Sequence, residues 1–234
     1  MAEDSERFKL PLKWKPGTDL MSKMMLSDSE IMRIVIQSLL GEDVPPDCYS
    51  VAPTDWADGS RSDMVYASTK SPPILVEVQY QLNQEFMLRL IKYGSNVDKR
   101  YKALPSVLVI VTKSFSSAEF QDEFTASADD GPLLETVYKF WAKKCFLLTA
   151  GAVSNHFQKA TLNPMAALGY FITLHTMTQV PQQHWRDPTL ALVFRIVDNI
   201  LAKEDNDIIL NSDTKYFLNQ VKRHLEEIIE DSKN

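Results

Sequence analysis

Cysteine and histidine are scarce in this chain, with two of the first and four of the second among 234 residues. Cys48 and Cys145 offer neither metal-ligand spacing nor enough thiols for a disulfide framework. His156, His175, His184 and His224 are scattered without ligand spacing, so ordinary surface or core roles are expected for each. Glycine is also sparse, at seven residues, and none falls in a phosphate-cradling loop, which weakens a nucleotide-triphosphatase reading. No Gly-x-Ser-x-Gly motif supports a serine hydrolase. No apolar run approaches the roughly 18–20 residues needed to span a bilayer. Residues 1–6 are acidic and polar, unlike a secretory signal. The expectation is an intracellular protein, cytoplasmic or nuclear, with no membrane partner. Positive charge is in deficit as well. The net charge of -6 is unhelpful to a protein that binds phosphates through Lys and Arg.

What is present is ordinary for a folded protein: 44% hydrophobic and 24% charged residues argue against general disorder. The length suits one sizeable domain with a helical annex. Charge is unevenly distributed. Between Lys70 and Lys113 stand seven basic residues (Lys70, Arg89, Lys92, Lys99, Arg100, Lys102, Lys113) against three acids (Glu77, Glu85, Asp98), a local balance of +4. Acid concentrates in 119–135, 204–207 and 226–231. Lys92, Lys99, Arg100 and Lys102 are therefore candidate DNA contacts, although such a cluster is more often a solvated face.

Residues 1–26 read as a loose N-terminal arm, in which Lys9, Lys13 and Lys15 could touch a phosphate backbone or simply solubilise the chain. Ser27 and Glu30 fit a capping box, opening a helix whose buried stripe is Ile31, Val35 and Leu39 and which ends near Gly41. Residues 63–67 and 74–79 read as a hairpin turning at Ser71-Pro72-Pro73. A helix is expected over 82–102, with Phe86, Leu90, Tyr93 and Val97 at helical spacing. The β-branched run 106–112 has the look of a central strand buried on both faces, and 144–148 of a further strand. Beyond Gly151 the pattern turns helical. Asn163-Pro164 and Asp187-Pro188 each place a capping residue before a first-turn proline, and Phe217, Val221, Leu225 and Ile228 form a last amphipathic stripe. The organisation expected is an α/β core over 27–151 followed by a C-terminal helical region, 152–234.

The chemistry concentrates in the second hairpin strand. Ile74, Val76 and Val78 fall on one face, and Leu75, Glu77 and Gln79 on the other. A carboxylate in the middle of a buried strand needs a partner. A divalent ion shared with Asp63 would supply one, and two hard oxygen donors suit Mg²⁺ or Mn²⁺. Gln79 could orient a water or a phosphate oxygen. Arg89, on the following helix, could neutralise charge on a phosphate in the transition state. Plainer roles stand beside these: Glu77 with Arg89 as a structural ion pair, Asp63 as a strand-end cap, Glu30 as a capping residue, Tyr93 and Tyr101 as core aromatics.

The hairpin Asp63…Val76-Glu77-Val78-Gln79, the helix with Phe86, Arg89, Tyr93 and Tyr101, and the strand Val107–Val111 together resemble the PD-(D/E)XK nuclease superfamily. The resemblance is to its branch of transposase-associated, recombination-promoting (Rpn-type) nucleases, and it covers 27–151. It implies a restriction-endonuclease-like core, a central mixed sheet flanked by helices, and a metal-dependent DNA endonuclease, associated with a mobile element. Asp63 and Glu77 then resemble the metal ligands, Gln79 takes the place of the usual lysine, and Glu30 is similar to an extra acid that some members direct at the metal. Ser62 replaces the signature proline. With Gln79 for lysine, the positive charge beside the nucleophile is absent from its usual place. The alternative is a catalytically weak or inactive nuclease fold that binds a protein partner through its acidic, helical C-terminal half. A homodimer is also compatible with the sequence.

Overall fold

The computed structural model describes residues 19–127, 131–159, 161–173, 182–184 and 187–204. Lys9, Lys13, Lys15, His175, His224 and the stripe Phe217, Val221, Leu225 and Ile228 lie outside the described residues.

The chain is an α/β protein, and among the described residues its strands are β1 (Tyr49–Ala52), β2 (Met64–Ser68), β3 (Ile74–Leu82), β4 (Ser106–Phe115), β5 (Thr125–Ala126), β6 (Leu133–Glu135) and β7 (Lys144–Thr149). These seven described strands form one mixed sheet in the order β1-β2-β3-β4-β7-β6-β5. The centre, β3-β4-β7, is parallel. Antiparallel pairs flank it on both sides. The helices are α1 (Asp19–Leu26), α2 (Ser29–Leu40), α3 (Gln84–Tyr101), α4 (Ala118–Gln121), α5 (Ala150–His156), α6 (Pro164–Thr173) and α7 (Pro188–Glu204). None among the described residues is long and apolar enough to cross a membrane.

Strand alternation sorts the core into two clusters. Ile74, Val76, Leu108, Ile110, Phe146 and Leu148 face α1, α2, α5, α6 and α7, in a cluster that runs from Met21 to Ile200. Leu75, Val107, Val109, Val111 and Leu147 face α3, whose Phe86, Leu90 and Val97 cover them together with Trp141. Five consecutive residues of β4, Val107 to Val111, are fully buried, because both faces of a central parallel strand are covered. The expected stripes of α2 and α3 are the buried ones. Asn163 and Asp187 cap as expected: Asn163 Oδ1 accepts from the N–H of Met165, and Asp187 Oδ1 from those of Thr189 and Leu190.

Three local expectations are corrected. The loose arm ends earlier than 26, because residues from Asp19 form α1, with Met21, Met25 and Leu26 fully buried. The cap of α2 is Asp28, not Ser27: its carboxylate accepts from the N–H of Glu30 at 2.9 Å. Ser27 instead donates its hydroxyl to the Lys23 carbonyl at 2.7 Å, serving the last turn of α1. Finally, Leu82 belongs to β3. Asn83 caps α3, accepting from the N–H of Phe86 at 2.8 Å.

One residue is at odds with its surroundings. Phe140 has φ 78 and is 95% exposed, so an L-residue holds a left-handed conformation with no packing in return. Phe140→Gly is expected to stabilise the protein by about 0.5–1 kcal/mol, measured as a higher urea midpoint with an unchanged slope.

Candidate functional site

Strand β2 begins at Met64, paired with Val76 of β3, but β3 runs on to Leu82. Asp63 stands at that step, opposite Glu77, and the two residues brace one another. The Asp63 N–H donates to Glu77 Oε1 at 2.9 Å, and Asp63 Oδ2 accepts from the Val78 N–H at 2.9 Å. Asp63 thus does cap a strand end, supplying the acceptor that β2 would have offered had it continued. The same bonds hold the two carboxylates beside one another where β2 begins.

Glu77 is 4% exposed. Burial, and then the negative charge of Asp63, push its carboxyl up to about 8 from 4.5, while the Asp63 N–H, Arg89 and Lys23 pull the other way. Two carboxylates this close, with one buried, resist being ionised together. Lys23, on α1, comes within 3.7 Å of Asp63 Oδ1. Arg89 does not pair with Glu77 as an ion pair would require. Its guanidinium donates to Gln79 Oε1 at 3.1 Å and lies over the Phe86 ring, and Gln79 Nε2 donates to the Gln81 carbonyl at 3.0 Å. Tyr93 is buried beside the acids, and burial followed by the charge of Glu77 raises its hydroxyl. Asp63, Glu77, Gln79, Arg89 and Tyr93 are therefore brought together. Glu30 is not: its carboxylate pairs with Arg33 at 2.8 Å. Among the described residues no group of three or more His, Cys, Asp or Glu could hold a metal, so Glu30 adds no third acid to Asp63 and Glu77.

The step from β1 to β2 is held by α3. The Asp55–Arg61 bridge closes a small hairpin, and the two side chains pair at 2.7 Å. Arg100 donates to the carbonyls of Pro53 and Asp55 and stacks 4.1 Å from the Trp56 ring centroid. Asp58 accepts from Ser60 and Asn96 and pairs with Lys92 at 3.1 Å. Hydrogen bonds from Ser60, Asn96 and Lys92 hold its carboxyl well below the usual range. These contacts fix the approach to Asp63 from outside the sheet. They also occupy two of the four expected DNA contacts: Lys92 and Arg100 serve this loop. Lys99 and Lys102 are exposed at the end of α3, where Lys102 forms the left-handed cap with φ 56.

The residues suit a hard divalent cation. Asp63 and Glu77 offer two oxygen donors whose mutual repulsion a cation would relieve. An ion such as Mg²⁺, which keeps several waters and binds substrate phosphates, needs no more carboxylates than these. The buried hydroxyl of Ser62, next to Asp63, has no hydrogen-bond partner among the described residues, which marks the same corner as polar and incompletely satisfied. Sequence reasoning missed Lys23 and the clamp of Trp56, Asp58 and Arg61. Their only signal was a lone lysine in a methionine-rich segment and a cluster of Asp, Gly and Ser before Asp63.

No family model, curated protein or solved structure matches this chain.

Proposed function

We propose that the protein is a metal-dependent DNA endonuclease, built on a restriction-endonuclease-like core and resembling the Rpn-type branch of the PD-(D/E)XK nucleases. The observation that carries this reading is the reciprocal bracing of Asp63 and Glu77 at the β2/β3 step, with Gln79 and Arg89 beside them on the same face. The antiparallel β1-β2-β3 unit, followed through α3 by parallel β4, supports the fold assignment.

Mg²⁺ or Mn²⁺ held by Asp63 and Glu77 would supply Lewis acidity and a water acidic enough to attack near neutral pH. The chain's own residues do the remainder. The Gln79 amide orients the attacking water by hydrogen bonding. Arg89 offers a cation to the non-bridging oxygens as negative charge develops on them. The water oxygen bonds to phosphorus, the bond from phosphorus to the leaving sugar oxygen breaks, and that oxygen ends with one of the water's protons. Of the four basic residues singled out at α3, Lys99 and Lys102 are left to meet the DNA backbone.

A second reading is favoured by one specific observation. Glu77 is so buried that it holds a proton near neutral pH, and Gln79 carries no charge, as in a nuclease fold retired to protein binding. Calorimetry with Mn²⁺ separates the two. Binding that disappears in Glu77→Ala supports the nuclease, and no binding with or without DNA supports the adaptor. The direct test is supercoiled plasmid with Mg²⁺ or Mn²⁺. Nicked and linear products are expected from the parent and none from Asp63→Ala combined with Glu77→Ala. Cleavage that survives in the double variant places the activity elsewhere.

A further inference from the structure

We infer that Lys23, on α1 and outside the hairpin altogether, is the ammonium group of the cleavage site, acting on the phosphodiester once Asp63 has turned to a metal ion. The inference rests on the nuclease reading above and extends it to a residue far from the others in the chain.

Three observations lead to it. The first is distance: Lys23 Nζ is 3.7 Å from Asp63 Oδ1, and its field also reaches Glu77. The second is rigidity. Helix α1 buries Met21, Met25 and Leu26 completely, and its end is tied to β2 by the Tyr66 hydroxyl, which donates to the Leu26 carbonyl at 2.7 Å. A side chain on so short a helix is held in place by these anchors, not by the helix's own stability. The third is the state of the other cation. Arg89 is oriented by Gln79 and by the Phe86 ring, on the α3 side of the acids, whereas α1 packs against the opposite face of the sheet. The two cations thus approach the carboxylates from different elements, Lys23 from α1 and Arg89 from α3.

The plain alternative is a surface ion pair that also favours the C-terminal end of the α1 dipole. At side-chain exposures of 30% and 22%, such a pair contributes little to stability. Lysine is well suited to the further role, because its flexible stem lets a compact charge move from one oxygen to another.

The two roles differ in what removal of the charge does to metal binding. In the free protein Lys23 competes with a cation for Asp63, so Lys23→Met should bind Mn²⁺ more tightly, by roughly fivefold. At saturating Mn²⁺ the same variant should cut plasmid at least about 100-fold more slowly. Lys23→Arg should restore cleavage to within about tenfold of the parent, because a cation of similar reach returns. The experiment is calorimetry of the full chain with Mn²⁺ alone, plasmid cleavage by the same preparations, and a thermal melt of each. Lys23→Gln serves as a second neutral variant should Lys23→Met melt early. Weaker Mn²⁺ binding in both neutral variants overturns the inference and makes Lys23 a support for Asp63. So does cleavage equal to the parent's. A parent that cuts nothing overturns the nuclease reading and this assignment with it; a parent that cuts beside neutral variants that cut equally well overturns the assignment alone.

Discussion

Glu77→Gln is expected to cut plasmid at least about 10³-fold more slowly than the parent, and yet to be the more stable protein at pH 8 in the absence of metal. The first effect follows from exchanging a charged metal ligand for a neutral amide. The second follows from burial. The Glu77 carboxyl is pushed up to about 8, against 4.5 for the ordinary side chain, so between those values the folded state binds a proton that the unfolded chain does not. The stability Glu77 contributes is therefore complete below pH 4.5 and is lost as pH rises towards 8, at up to about 1.4 kcal/mol per pH unit. A glutamine of the same shape carries no such dependence and can still accept from the Asp63 N–H. The variant should gain about 1–3 kcal/mol at pH 8, and most of the gain should vanish at pH 5. Adding Mn²⁺ at pH 8 should stabilise the parent and leave the variant unmoved. Melts at the two pH values, in EDTA and in Mn²⁺, provide the check. A gain of equal size at pH 5 and pH 8 would separate the burial of Glu77 from its ionisation and sink the argument.

Gly94→Ala should be the most damaging small substitution on α3. A Cβ there would lie 2.8 Å from the Trp141 carbonyl oxygen and 2.9 Å from Trp141 Cε3. Backbone and a buried indole leave little room to yield. Alanine's better helix propensity, worth about 1 kcal/mol, falls short of an overpacking penalty of about 3 kcal/mol. The helix would have to rise off the Trp141 loop, carrying Tyr93 and Arg89 with it, so cleavage should fall along with stability. Gly151 is the control. It is also helical, but a Cβ there meets nothing within 4 Å, so Gly151→Ala should be neutral or stabilising. Chemical denaturation of the two variants side by side tests the contrast. Equal midpoints would mean that Trp141 does not press on Gly94.

The parts legible in the sequence were those with strong local periodicity. Alternation in β3 put Glu77 and Gln79 on one face, the run in β4 marked the central strand, and the α2 and α3 stripes fell where the core lies. Asp63 could be matched to Glu77 because a hairpin converts separation in sequence into register. The rest depended on partners that leave no pattern. Strands β5 and β6, of two and three residues, are too short to show alternation. Helix α1 buries a stripe of methionines in eight residues, less than a helix needs to declare itself alone. Arg100 looked free for DNA because its acceptors are the carbonyls of Pro53 and Asp55, and a carbonyl is present at every residue. The cap of α2 was misplaced by one position because Ser27 and Asp28 are both good caps, and only the end of α1 decides between them.

The late start of β2 against β3 has a consequence for how the acids are probed. Past Val76 no β2 residue pairs with β3, and the Asp63 carboxylate is what engages the Val78 N–H. Alanine at that position would uncork a strand border that another chain could extend. A loss of cutting could then reflect self-association as much as lost chemistry. Asparagine keeps the oxygen plug while removing the charge, which makes Asp63→Asn the cleaner instrument.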